Sequence, residues 1–68
     1  MALCYGDEAE IVFDVQKRLR ELGYYIPSIN GKMDNATVVA VIHYQRASGI
    51  FPNNGQVGER TLRALKLI

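Results

Sequence analysis

The sequence predicts an all-α fold, a compact three-helix bundle with an internal repeat. Three observations predict it. The stretch Gly31-Lys32-Met33-Asp34-Asn35-Ala36-Thr37-Val38-Val39-Ala40-Val41 reappears as Gly55-Gln56-Val57-Gly58-Glu59-Arg60-Thr61-Leu62-Arg63-Ala64-Leu65. Upstream of each copy a glutamine precedes a glycine and an apolar pair: Gln16 before Gly23-Tyr24-Tyr25, and Gln45 before Gly49-Ile50-Phe51. Between the glycines, apolar residues recur at helical spacing, and nothing reads as a strand longer than a few residues. The repeating unit is a helix, a glycine stop, a polar loop and the start of the next helix.

The first helix is expected over about 8–22. Asp7 suits its N-cap, with Glu10 completing a capping box, and Val12, Val15, Leu19 and Leu22 form the buried stripe. Asp14 with Arg18, and Lys17 with Glu21, fall one turn apart on the outer face. Gly23 is the expected stop, and Pro27, Ser28, Asn30 and Gly31 mark a loop. The second helix is expected over 35–48, capped by Asp34, with Thr37, Ala40, Val41, Tyr44 and Ser48 inward. A second loop carries Pro52, Asn53, Asn54 and Gly55. The third helix is expected over 59–66, with Leu62 and Leu65 inward and Arg63 and Lys66 where the helix dipole favours cations.

A chain of 68 residues forms one domain, here 6–68, preceded by a short extension, 1–5. A domain this small buries only about 60% of its unfolded surface. Apolar residues make up 49% of the chain, too many for a disordered tail, yet no apolar run approaches the roughly 18 residues that span a bilayer. Met1 to Tyr5 is too short for the apolar part of a signal peptide. That fits a module of a larger secreted protein at the cell wall, a cytoplasmic protein, or a phage protein released by lysis. The net charge is +1, with no block of one sign to form a long-range field.

The ordered set Gly6-Asp7, Val12-x-x-Val15-Gln16-x-x-Leu19, Gly23-Tyr24, Asn30-Gly31-x-Met33-Asp34-x-x-Thr37-x-x-Ala40-Val41-x-x-Tyr44-Gln45, Ser48-Gly49-Ile50 and Gly55-x-Val57-Gly58-x-x-Thr61-x-x-Ala64-Leu65 resembles the peptidoglycan-binding domain found beside cell-wall hydrolases. Each fragment alone is weak, but the set with its spacings is specific and runs from Gly6 to Leu67. The resemblance implies a three-helix module, without catalytic activity, that holds a tethered or partner hydrolase on bacterial cell wall. Two departures stand out: Asn30 replaces the family's acid before the first loop glycine, and Met33-Asp34 replace its aromatic and glycine before the second helix.

Peptidoglycan offers amides, hydroxyls, carboxylates and apolar sugar faces. The first loop and the start of the second helix carry groups to meet them: Tyr25 as an exposed ring, and Asn30, Lys32 and Asn35 as bonding partners for amides and carboxylates. Thr37 and Gln45 join these candidate contacts, beside a structural reading for each. A threonine about three residues into a helix can bond the free donors of its first turn. Gln16 and Gln45, each on a helix before a loop, can hold loop backbone through both ends of their amides. Whether glycan or peptide stem is the partner stays open at this level.

No catalytic residue, metal ligand set or cofactor is expected. His43 is the single histidine and reads as a partly exposed helix residue; Cys4 is the single cysteine, with no neighbouring base in sequence. A DNA-binding role is disfavoured by the near-neutral charge and by a connection of roughly ten residues between the last helices, where a helix-turn-helix has about 3–4. A protein-interaction or pro-domain-like role is the main alternative, since this family also resembles the pro-domains of matrix metalloproteinases. Val39, Ile42 and Phe13 fall outside the expected core and mark a face for self-association or for docking a hydrolase domain.

Overall fold

The computed structural model describes residues 2–68. Three helices follow one another, α1 (Glu10–Glu21), α2 (Asn35–Ser48) and α3 (Glu59–Ala64). Among the described residues there is no strand, only two isolated antiparallel bridges, Leu3 with Val57 and Glu8 with Lys32. The core is one cluster in which Val12, Val15 and Leu19 of α1 meet Ala40, Val41 and Tyr44 of α2 and Leu62 and Leu65 at α3. The loops add Ile26, Met33, Ile50 and Val57.

Helix α2 has the expected bounds. The Asp34 carboxylate accepts the Thr37 N–H at 2.9 Å, which satisfies one of the first-turn donors a helix leaves open. Helix α1 starts two residues later than expected, at Glu10, with Ala9 at its N-cap and no side-chain cap. Asp7 is held elsewhere. Its carboxylate accepts Cys4 N–H at 2.8 Å, and its backbone carbonyl accepts Met33 N–H at 2.8 Å. Gly6 N–H to Met33 O and Ala9 N–H to Gly31 O complete the attachment. The segment before α1 therefore pairs with the end of the first loop, and helix geometry begins only once that pairing is finished.

A further attachment lies within the segment expected as an extension, 1–5. Leu3 is buried and exchanges both backbone bonds with Val57 at 2.9 Å each; Met1 lies outside the described residues. Other expectations change at helix ends. Leu22 and Ser48 were expected inward but are exposed, because each sits at the end of its helix where the chain turns away from the core. Arg18 pairs with Glu21 at 3.4 Å, not with Asp14, and its Nε donates to Leu65 O at 3.2 Å. Helix α3 stops at Ala64 rather than Lys66.

All three helices close in the same way. The N–H of Tyr24, Ile50 and Leu67 returns to the carbonyl of Leu19, Gln45 and Leu62 respectively, the six-to-one bond that caps final carbonyls. The residue before each returning N–H is left-handed: Gly23, Gly49 and, in the third case, Lys66 at φ +62°. A non-glycine residue in that region ends α3 two residues early.

Candidate functional site

The first loop is organised from inside by Gln16. The side chain is completely buried. Its Oε1 accepts the N–H groups of Asn30 at 2.9 Å and Gly31 at 3.0 Å. Its Nε2 lies 2.9 Å from each of Asn30 Oδ1, Lys32 O and Thr37 Oγ1. A single amide thus holds the loop from both its donor and acceptor ends, as the sequence suggested. The second loop carries a matching set: Gln45 Oε1 accepts Gly55 N–H at 3.1 Å, while Nε2 donates to Gln56 O at 2.8 Å and Thr61 Oγ1 at 3.1 Å.

Contrary to the expectation from its position, the Thr37 hydroxyl does not serve first-turn backbone donors. It accepts from Gln16 and donates to Asp34 Oδ1 at 2.6 Å. Burial pushes the Asp34 carboxyl up, but hydrogen bonds from the Thr37 hydroxyl, the Thr37 N–H and the Asn30 amide outweigh it and hold the carboxyl below its ordinary value.

Close packing covers both loops. A methyl group added at Gly31 would fall 2.5 Å from the Phe13 ring; one at Gly55 would fall 2.6 Å from Val38 Cγ1 and 3.2 Å from Ile42 Cγ1. Phe13 stands three residues before Gln16 and Ile42 three before Gln45, so each lies one helical turn from the glutamine that holds the same loop. The outward apolar residues of α1 and α2 therefore have neighbours within the molecule: Phe13 rests on Gly31, and Ile42 and Val38 on Gly55.

The candidate contact residues separate into three groups. Thr37 and Gln45 are 1% exposed each and are bonded within the protein, so they support the loops from inside and present no surface to a ligand. Asn30 is exposed, but its amide is largely engaged: Oδ1 accepts from Gln16 and from Lys32 N–H at 3.0 Å, and Nδ2 donates to Asp34 at 3.1 Å. Lys32 stands beside it with its ammonium 3.5 Å from Glu8, on a shallow depression shared with Tyr5 and Gly6.

Tyr25 and Asn35 lie together on a different face. With Pro27, Ala36, Val39, Ala40 and His43 they line an open groove of about 570 Å³ between the first loop and α2. Sequence reasoning grouped Tyr25 and Asn35 with Asn30 and Lys32 and assigned neither His43 nor Val39 to that surface. The signal was present: Asn35, Val39 and His43 are spaced by four and form one stripe of the helix. Among the described residues no cluster of three or more His, Cys, Asp or Glu is placed to hold a metal ion.

The fold and the loop network define a small helical domain with exposed polar and aromatic loop surfaces. The chain belongs to the family described as "Putative peptidoglycan binding domain", whose model matches residues 8–65. Among solved structures, the crystal structure of the SleB N-terminal domain is similar with a TM-score of 0.89 at 27% identity, the match covering 98% of this chain and 90% of that one. No curated protein matches.

Proposed function

We propose that this domain binds peptidoglycan without cleaving it and holds a tethered or partner hydrolase on bacterial cell wall, in a cell-wall or extracellular setting. The observation that carries this reading is membership of the peptidoglycan-binding family over residues 8–65. Its geometry fits a binding role: two glutamine-held loops give a rigid frame, and Tyr25 and Asn35 stand out from it on the α2 groove. Affinity is expected to be weak, about micromolar or poorer, because an open and partly polar surface desolvates little apolar area.

The test is co-sedimentation with insoluble peptidoglycan, with cellulose as the control, together with an assay for released muropeptides. Retention on peptidoglycan without release supports the proposal. Muropeptide release would overturn its non-catalytic part, and failure to sediment with any cell-wall type would overturn binding. Self-association through Phe13, Val39 and Ile42 has less to rest on, since contacts at Gly31 and Gly55 account for the apolar identity of Phe13 and Ile42.

A further inference from the structure

We infer that the Tyr25 groove takes the uncharged glycan strand of peptidoglycan, with its N-acetylated sugars, and not the carboxylate-bearing peptide stem. This rests on the peptidoglycan-binding role proposed above and adds the substrate class. The first observation is the state of Tyr25. Its ring is 77% exposed although its backbone is fixed on both sides. On one side Tyr24 N–H bonds Leu19 O and the Tyr24 ring packs edge-on against Tyr44 at 5.8 Å. On the other, Ile26 is buried and its carbonyl accepts the Arg20 guanidinium at 2.8 and 3.2 Å. An aromatic ring on a fixed backbone loses little freedom on binding, and its face suits the C–H face of a pyranose.

The second observation is charge. Tyr25, Pro27, Asn35, Val39 and His43 line the groove with no Lys, Arg, Asp or Glu among its walls. A stem carboxylate brought there would lose water without gaining a lysine or arginine partner. An N-acetyl group would not, since Asn35 offers both a donor and an acceptor and Val39 an apolar contact for the methyl. Lys32, in the same loop, lies on the Tyr5 depression and pairs with Glu8. The second loop provides an internal contrast. Phe51 follows Gly49 as Tyr25 follows Gly23, and it is 69% exposed. Its depression, however, is lined by Glu59 and Arg60, so it lacks the uncharged walls that favour a neutral sugar.

The experiment titrates the isotope-labelled chain with N-acetylglucosamine tetramer and with free stem peptide. Alongside, sedimentation is measured with intact peptidoglycan and with bead-coupled glycan strands, stripped of stems by an amidase and capped as methylamides at the lactyl carboxylates that the amidase frees. Sedimentation with both cell-wall preparations is expected, with NMR shifts centred on Tyr25, Asn35, Val39 and His43 on adding the tetramer. Tyr25→Ala is expected to weaken retention on stripped strands about tenfold, the loss typical of a central aromatic contact, while Phe51→Ala retains it. Both side chains are exposed, and circular dichroism verifies that the variants fold. Sedimentation with intact but not stripped material, competition by the stem peptide, or equal retention of the Tyr25→Ala variant would overturn the glycan assignment alone. Failure with both preparations would overturn the binding role together with it.

Discussion

The Nε2 of Gln16 sits 2.9 Å from the Oγ1 of Thr37, joining the middle of α1 to the first turn of α2 through two completely enclosed side chains. Thr37 in turn donates to Asp34, the residue that caps α2. One chain of hydrogen bonds therefore couples a helix, a loop and a helix start. Gln45 and Thr61 form the corresponding contact at 3.1 Å, but Gly58 at the α3 N-cap offers no side chain to extend it.

The two contacts also differ in the number of acceptors around each glutamine amide, which predicts unequal effects of the same substitution. Thr37→Val removes the hydroxyl bond to Asp34 Oδ1, which keeps the Thr37 N–H, and leaves the two Gln16 Nε2 hydrogens with Asn30 Oδ1 and Lys32 O. Thr61→Val strands one buried Gln45 Nε2 hydrogen, whose other acceptor is Gln56 O. Thr61→Val is expected to cost about 1–3 kcal/mol, the penalty of an unmet buried donor, and Thr37→Val about 1 kcal/mol, the loss of one hydrogen bond. Gln16→Leu should cost more than either, since it strands the N–H groups of Asn30 and Gly31 as well. Urea unfolding curves of the three variants check the order. Equal losses at Thr37 and Thr61 would show that the unmet Gln45 hydrogen carries no penalty.

Gly31 and Gly55 should also respond differently. Both have positive φ, at +74° and +82°, where an alanine costs about 1–2 kcal/mol. Beyond that, the added methyl at Gly31 meets the half-exposed Phe13 ring, which can swing outward. At Gly55 it meets Val38, whose branched side chain is stiff on a helix. Gly55→Ala is expected to lose about 1 kcal/mol or more beyond Gly31→Ala, an overpacking cost. In a Phe13→Ala background, the cost of Gly31→Ala should fall to its backbone part, measured by a double-mutant cycle in thermal unfolding.

The contribution of Asp34 depends on pH in a definite direction. Its carboxyl is held below the ordinary aspartate value in the folded chain. The folded state therefore favours the ionised form, and this stabilisation is full above the ordinary value. It is lost as pH falls through the depressed folded value. Asp34→Ala should cost about 0.5–2 kcal/mol at neutral pH, and the gap between variant and parent should narrow in acid. A gap that stays constant from neutral pH to strong acid would contradict the assignment.

Lys66→Gly should stabilise the domain. Lys66 holds φ +62° in the position that Gly23 and Gly49 occupy after α1 and α2, and a left-handed non-glycine residue costs about 1–2 kcal/mol. Part of that gain is offset by the greater freedom of glycine in the unfolded chain, about 0.4–1 kcal/mol. The net rise in Tm is expected to be a few degrees, given about 4–8 °C per kcal/mol for a domain of this size. A lower Tm would mean that the Lys66 side chain contributes more than its backbone costs.

The helices and much of the interior were legible in the residue order. Val12, Val15 and Leu19 follow the 3.6-residue period and are all buried. Asp34 reads as a cap and is one. The glutamines before each loop could be read as loop supports because an amide has a donor and an acceptor to offer a passing backbone. The start of α1 was not legible in the same way. Asp7 and Glu10 match a capping box, but the local pattern loses to backbone bonds with residues 31–33, a pairing distant in sequence.

The candidate contacts divide along the same line. By itself the sequence determined that polar and aromatic residues gather around the first loop, because helix periodicity and turn residues are local properties of the chain. Only the tertiary structure decided which of them face outward. Thr37 and Gln45 became interior supports because the loops fold back onto their helices. Tyr25, Asn35, Val39 and His43 became one surface because the first loop passes beside α2. Burial depends on which segments meet in space, and that is settled by contacts between residues far apart in sequence.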